Sequence, residues 1–145
     1  MAMTNTRTFR VALTGDFYNQ AGEMPFKDMG LSIFASDAQI EVRPFQEHRP
    51  LIGADQIGDA NAVMVLAPAV TQETLAHAEN LLAIGRFGVG YEKVDVVACT
   101  EADVLAFITA GAVDRSVAEA TVGWMIALTH HTLVKDRLVR TGEWD

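Results

Sequence analysis

Five short apolar runs, each set off from the next by a helical or polar interval, constrain the fold of this chain more than any other feature. They are "FRVAL" (Phe9–Leu13), "QIEVRP" (Gln39–Pro44), "AVMVLA" (Ala62–Ala67), "LLAIG" (Leu81–Gly85) and "VLAFIT" (Val104–Thr109). Runs of this length are strands rather than helices. Gln39–Pro44 alternates polar and apolar, and the others, apolar on both faces, suit a parallel sheet with helices on either side. The intervals supply such helices: "TQETLAHAENL" (71–81) offers Thr71 as an N-cap, and "DVVACTEAD" (95–103) offers Asp95 as another. Repeated strand–helix–strand units predict an α/β chain with a flavodoxin-like, doubly wound parallel sheet. Residues 17–30 carry little pattern and are expected to form a loop with some helix.

The last segment differs in kind. From Ser116 to about Arg140 the spacing predicts one long C-terminal helix, stopped by Gly142. "SVAE" reads as a capping box joining Ser116 and Glu119. The first half of this helix is apolar nearly all round, so another domain or a second subunit is expected to cover it. A homodimer through helix 116–140 follows as an expectation.

Composition narrows the partners. With 11 Lys and Arg against 19 Asp and Glu, the net charge is −8. No basic face is available for nucleic acid or an anionic membrane. The longest apolar run, "AVMVLAPAV" (62–70), is far short of the roughly 20 residues of a membrane span. The start "MAMTNTRTF" lacks the apolar core of a secretory signal, and the single cysteine, Cys99, cannot form an internal disulfide. These features point to a cytoplasmic protein.

The chemical candidate is the loop "GRFGVG". Gly85, Gly88 and Gly90 read G-x-x-G-x-G, the reverse of the dinucleotide fingerprint G-x-G-x-x-G. A nucleotide cradle is therefore disfavoured. Gly88 and Gly90 flank Val89, and a loop so spaced can turn successive amides outward as a nest for a carboxylate. A strand-to-helix turn that binds nothing has the same spacing, and both readings stand on these residues alone.

Other polar residues have plainer roles. His130 and His131 project about 100° apart on a helix and cannot share a metal from one face. His48 and His77 have no neighbouring ligand cluster, so no metal site is expected. Cys99 reads as a small core residue, Asp95 and Ser116 as caps, and Trp124 and Met125 as core or interface. "LTGDF" (13–17) offers only weak support for a phosphate loop. An aspartyl-phosphate receiver would need an Asp ending the third strand and a Lys ending the fifth, and neither is present.

Taken in order, "LLAIGRFGVGYEKVDVVACTEADVLAFITAGAVDRSVAEATVGWMIAL" resembles the NAD-dependent 2-hydroxyacid dehydrogenases that act on D-isomers, the group of phosphoglycerate and glycerate dehydrogenases. The resemblance is dense over residues 79–128 and looser over 9–78. It implies an oxidoreductase moving hydride between a D-2-hydroxy acid (or 2-keto acid) and NAD or NADP. It also implies that Gly88, Val89 and Gly90 present amides to the substrate carboxylate, with Val89 near the nicotinamide end of the cofactor. Residues 1–110 would be the substrate-binding lobe, and 111–145 the long helix that begins the NAD-binding lobe. The family's cofactor fingerprint, catalytic arginine, acidic partner and histidine have no counterpart here, so no catalytic residue is assigned and the chain is expected to be inactive alone. The element "ITAGAV" (108–113) lacks the asparagines and proline usual in relatives, Glu92 replaces the usual aspartate, and "APAV" stands where some phosphoglycerate-type relatives carry an arginine–serine pair. The alternative is a non-catalytic flavodoxin-like module that binds a small carboxylate or a protein partner, or one whose loop binds nothing.

Overall fold

The computed structural model describes residues 8–143 and forms two compact units, Met1–Thr109 and Ala110–Asp145. The first contains β1 (Phe9–Leu13), a 3-10 turn at Gly15–Phe17, α1 (Ser32–Ala35), β2 (Ile40–Pro44), α2 (Ala54–Ile57), β3 (Ala62–Val65), α3 (Gln72–Leu75), β4 (Ala83–Arg86), α4 (Val96–Glu101) and β5 (Leu105–Ile108). All five strands pair in parallel, in the order β2-β1-β3-β4-β5. That is the flavodoxin-like order, in which the chain reverses direction across the sheet between β1 and β3.

The core lies where the pattern is most apolar. Ala12, Val63, Val65 and Ile84 of the central strands pack with Ile52, Ile57, Val70, Leu81, Cys99 and Val104 from the connections. Asp95 caps α4 as expected, its carboxylate accepting from the Ala98 amide at 2.9 Å. The expectation of burial on both faces fails at the edge, where Leu105 is 63% and Phe107 52% exposed. β5 is an edge strand, paired on one side only, with β4.

Two helices differ from expectation. The helix expected over 71–81 ends at Leu75: Ala76 is extended and His77 has φ +70°. The chain must break there to turn into β4 and deliver Leu81, 4% exposed, to the core. Thr71 is the N-cap, its amide donating to Thr74 Oγ1 at 3.0 Å, while the Thr74 hydroxyl donates to the Ile52 carbonyl at 2.6 Å.

In the second unit the single helix expected over 116–140 is two, α5 (Asp114–Thr129) and α6 (Thr132–Thr141). His131, at φ +51°, makes the break. Thr129 bonds back to the Met125 carbonyl at 2.8 Å, and its β-branch together with the following histidine pair gives the chain little reason to continue. The Ser116–Glu119 capping box does not form either. α5 starts two residues early, putting Asp114 in the first turn where the helix dipole favours an acid. Ser116 is then already helical, and Glu119 accepts from Arg115 at 2.7 Å. Gly142, at φ +77°, ends α6 as the sequence implies.

Candidate functional site

The glycine loop leaves β4 at the carboxyl end of the sheet. Its entrance is fixed by the Phe87 amide, which donates to the Val65 carbonyl at 2.8 Å. The Gly88 carbonyl accepts from the Thr109 amide at 3.0 Å, tying the loop to the end of β5. On the far side, the Val70 amide donates to the Lys93 carbonyl at 2.8 Å, the Asp95 amide donates to the Val70 carbonyl at 2.9 Å, and Lys93 Nζ donates to the Ala67 carbonyl at 3.1 Å. Both ends are therefore clamped. Between them the Val89 and Gly90 amides have no partner among the described residues, and Val89 is 37% exposed.

The Gly88 amide is different. It donates to the Arg86 carbonyl at 2.9 Å, closing a three-residue turn, so it is not a free donor. Gly88 has φ +151°, a conformation side chains rarely adopt, and the Arg86 guanidinium occupies the space a Cβ would need. Its glycine is required for the turn, and the nest narrows to two amides, those of Val89 and Gly90.

Aromatic packing holds the loop from beneath. Phe87 meets the buried Phe17 edge-to-face at 5.5 Å between ring centroids and Phe26 at 5.8 Å, and these two meet each other at 6.0 Å. Beside the loop, Ile84, Arg86, Tyr91, Val94, Ala106 and Ile108 line a cavity of about 260 Å³ that is apolar apart from Arg86 and the Tyr91 hydroxyl. No histidine or carboxylate lines it.

The crevice at the β1–β3 reversal, where such folds take ligands, is closed by the protein itself. The Thr14 hydroxyl donates to Asp16 Oδ1 at 2.6 Å and accepts from the Leu66 amide at 3.2 Å, while Asp16 Oδ2 accepts from the Ala67 amide at 2.9 Å. A carboxylate already occupies the donors a phosphate would seek, so "LTGDF" is a structural tie and not a phosphate loop.

The model of the family described as "D-isomer specific 2-hydroxyacid dehydrogenase, catalytic domain" matches residues 18–137. The chain belongs to this family. It is 32% identical over 90 residues to the glyoxylate reductase of Thermofilum pendens, a match covering 61% of this chain and 26% of that protein. It is 31% identical over 122 residues to the D-3-phosphoglycerate dehydrogenase of Methanocaldococcus jannaschii, covering 83% of this chain and 23% of that one. The chain thus spans about a quarter of the length of these dehydrogenases. The fold is that of the NAD-dependent formate dehydrogenase of Staphylococcus aureus solved with NAD: TM-score 0.71 at 22% identity, covering 94% of this chain and 42% of that one.

Within this family member the remaining sequence candidates fall apart spatially. Among the described residues no three His, Cys, Asp or Glu side chains approach closely enough to hold a metal ion, and no helix is long and apolar enough to cross a membrane. His130 and His131 mark the α5–α6 break, and Trp124, at 71% exposure, and Met125, at 60%, are not core within their unit. Cys99 is buried, and burial, reinforced by the Asp95 charge, pushes its thiol pKa up. Such a thiol is unreactive. Sequence reasoning missed Arg86, Phe17, Phe26 and Phe87. The aromatics had no periodicity to reveal them, because Phe26 comes from the patternless 17–30 segment.

Proposed function

We propose that this chain is the substrate-holding part of a D-2-hydroxyacid dehydrogenase that moves hydride between a 2-hydroxy or 2-keto acid and NAD(H). Residues 1–110 form the lobe that holds the acid, and residues 111–145 begin the lobe that holds the cofactor. The carrying observation is the loop tip: two adjacent amides, Val89 and Gly90, left without partners while everything around them is tied down. A carboxylate accepting both would gain roughly 1.5–3 kcal/mol per charge-assisted bond, enough to orient a small acid at the cavity mouth.

When bound, the nicotinamide supplies or accepts the hydride. The described residues do not cradle its dinucleotide phosphates: the loop that follows β4 does not open directly into a helix, α4 starting only at Val96, and the turn after β1 is filled by Asp16. Only the exposed side chain of Val89 is offered to the cofactor, and whether the full enzyme takes NAD or NADP is decided elsewhere. This chain's part is to hold the acid by its carboxylate and to keep its carbon chain against the apolar wall of Val94, Ala106 and Ile108. No histidine lines that wall to move the proton of the C2 hydroxyl.

The relatives named glyoxylate reductase and D-3-phosphoglycerate dehydrogenase frame the substrate as a small acid of this kind. A second copy is proposed to cover α5 and α6 as a homodimer, and the single buried thiol suits a reducing, cytoplasmic setting. Two measurements test the reading. Calorimetric titration with glyoxylate should show saturable binding to the chain, whereas NADH oxidation with glyoxylate or hydroxypyruvate should not exceed the blank. Absence of binding, or turnover well above the blank, would count against it. A non-catalytic carboxylate-binding module would bind equally, and is favoured only if the coding sequence ends without a following G-x-G-x-x-G strand.

A further inference from the structure

The loop that follows β3 is the rim next to the glycine loop, because β3 is a hydrogen-bonded neighbour of β4. Its residues 67–70 are held from both sides. The Ala69 amide donates to the Pro50 carbonyl at 2.8 Å, the Ile52 amide donates to the Ala69 carbonyl at 3.0 Å, and Val70 bonds through its amide to Lys93 and through its carbonyl to Asp95. Those ties join backbone to backbone and place no demand on side-chain identity. Ala67 is held differently. It is exposed, and Pro68 beyond it has no amide to donate. Both of its polar main-chain groups are taken by charged side chains from other loops: the amide donates to Asp16 Oδ2 at 2.9 Å, and the carbonyl accepts from Lys93 Nζ at 3.1 Å.

Lys93 therefore grips this rim twice, at Val70 through its main-chain carbonyl and at Ala67 through its ammonium. Ordering an exposed lysine costs side-chain entropy, and no carboxylate among the described residues, Glu92 included, forms an ion pair with it. On the other side of Ala67, Asp16 precedes Phe17, whose ring packs against Phe87 at the root of the glycine loop. The ties close a ring: Lys93 to Ala67, Ala67 to Asp16, Phe17 to Phe87, and Phe87 along the chain through Val89 and Gly90 to Lys93 again. The two unpartnered amides lie in that last arc and take their orientation from the rest of the ring.

We infer that Lys93 is a positioning residue for the acid: by pinning the Ala67 carbonyl it fixes the rim after β3 against the glycine loop and keeps the Val89 and Gly90 amides oriented for binding. The inference rests on the reading of those amides as the carboxylate holder. A donor pair ordered beforehand binds more tightly than a mobile one, because less freedom is lost on binding.

Lys93→Met keeps most of the stem and removes the donor, whereas Lys93→Arg keeps donor and charge. Nitrogen relaxation of the labelled 145-residue chain should show the order parameters of Ala67, Val89 and Gly90 falling in Lys93→Met and returning in Lys93→Arg, with the thermal midpoint unchanged. Glyoxylate, titrated by calorimetry, should bind Lys93→Met about tenfold more weakly than the wild type. The deficit should persist in about 1 M salt, where the screening length is roughly 3 Å. A deficit that vanishes in salt overturns the assignment, because Lys93 would then only attract the anion. Unchanged affinity and unchanged order parameters in Lys93→Met overturn it as well, and leave the carboxylate loop intact. A lowered thermal midpoint with Val89 and Gly90 no more mobile than before also overturns it, since the brace would then serve stability alone. If glyoxylate does not bind the wild type, the loop reading falls and the inference falls with it.

Discussion

Gly15 and Thr14 show how much depends on single atoms at the carboxyl end of the sheet. A Cβ on Gly15 would lie 2.7 Å from the His48 amide nitrogen and 2.8 Å from the Glu47 carbonyl carbon, backbone atoms that cannot swing aside. Gly15→Ala is expected to cost about 1–3 kcal/mol, read from urea unfolding. Thr14→Val keeps the shape of a fully buried residue but deprives the Leu66 amide of its acceptor and Asp16 of a donor. It is expected to cost about 1–3 kcal/mol by the same measurement, and a neutral outcome would show that the tie carries little. At this scale the sequence was partly legible. The glycines flanking Val89 marked the loop, but the Gly88 amide turned out to be spent on the Arg86 carbonyl. Which of two adjacent amides points outward depends on dihedrals that glycine leaves open. Lys93 was illegible for a related reason: what singles it out is the Ala67 carbonyl it reaches, and partners are set by tertiary placement.

Among the elements, those with a local physical cause were readable and those ended by tertiary demands were not. All five strands were visible, four as self-contained apolar runs and β2 by its polar–apolar alternation, and Asp95 announced α4 because a cap acts within three residues. Asp95→Ala should therefore lower stability by about 1 kcal/mol, seen as an earlier thermal transition, whereas a cap of no consequence would leave the transition unmoved. The end of α3 at Leu75 comes from the need to bury Leu81 and not from any breaker residue. The α5–α6 break at His131 interrupts a hydrophobic spacing that continues across it, so periodicity alone carried one helix through both. Ser116 and Glu119 have capping-box spacing, yet the helix that starts at Asp114 leaves them nothing to cap.

At the scale of the molecule's compact units, the helical one, Ala110–Asp145, leaves much apolar surface open. Trp124, Leu128, Leu133 and Val134 are each more than half exposed within the helical unit. Patches of this kind mark contact surfaces. Light scattering is expected to show a dimer that Trp124→Glu together with Leu128→Glu reduces to a monomer; a wild-type monomer would remove the proposed homodimer. Cys99 reports on global stability. Its folded pKa is raised, so the unfolded chain releases the thiol proton first, and the stability tied to that proton is complete below about 8.5 and declines as pH rises above it. That alkaline loss should disappear in Cys99→Ala, as followed by urea unfolding between pH 7 and 10.

The proposed hold on substrate depends on whether the two unpartnered amides at the loop tip take an acid. Nitrogen–proton correlation spectra of the labelled chain, recorded during titration with glyoxylate, read those amides one at a time. The Val89 and Gly90 signals should move downfield and saturate together, with Gly88, already bonded to Arg86, moving much less. If Val89 and Gly90 stay fixed while the acid is in large excess, the loop is only a turn and the proposed role in holding substrate is wrong.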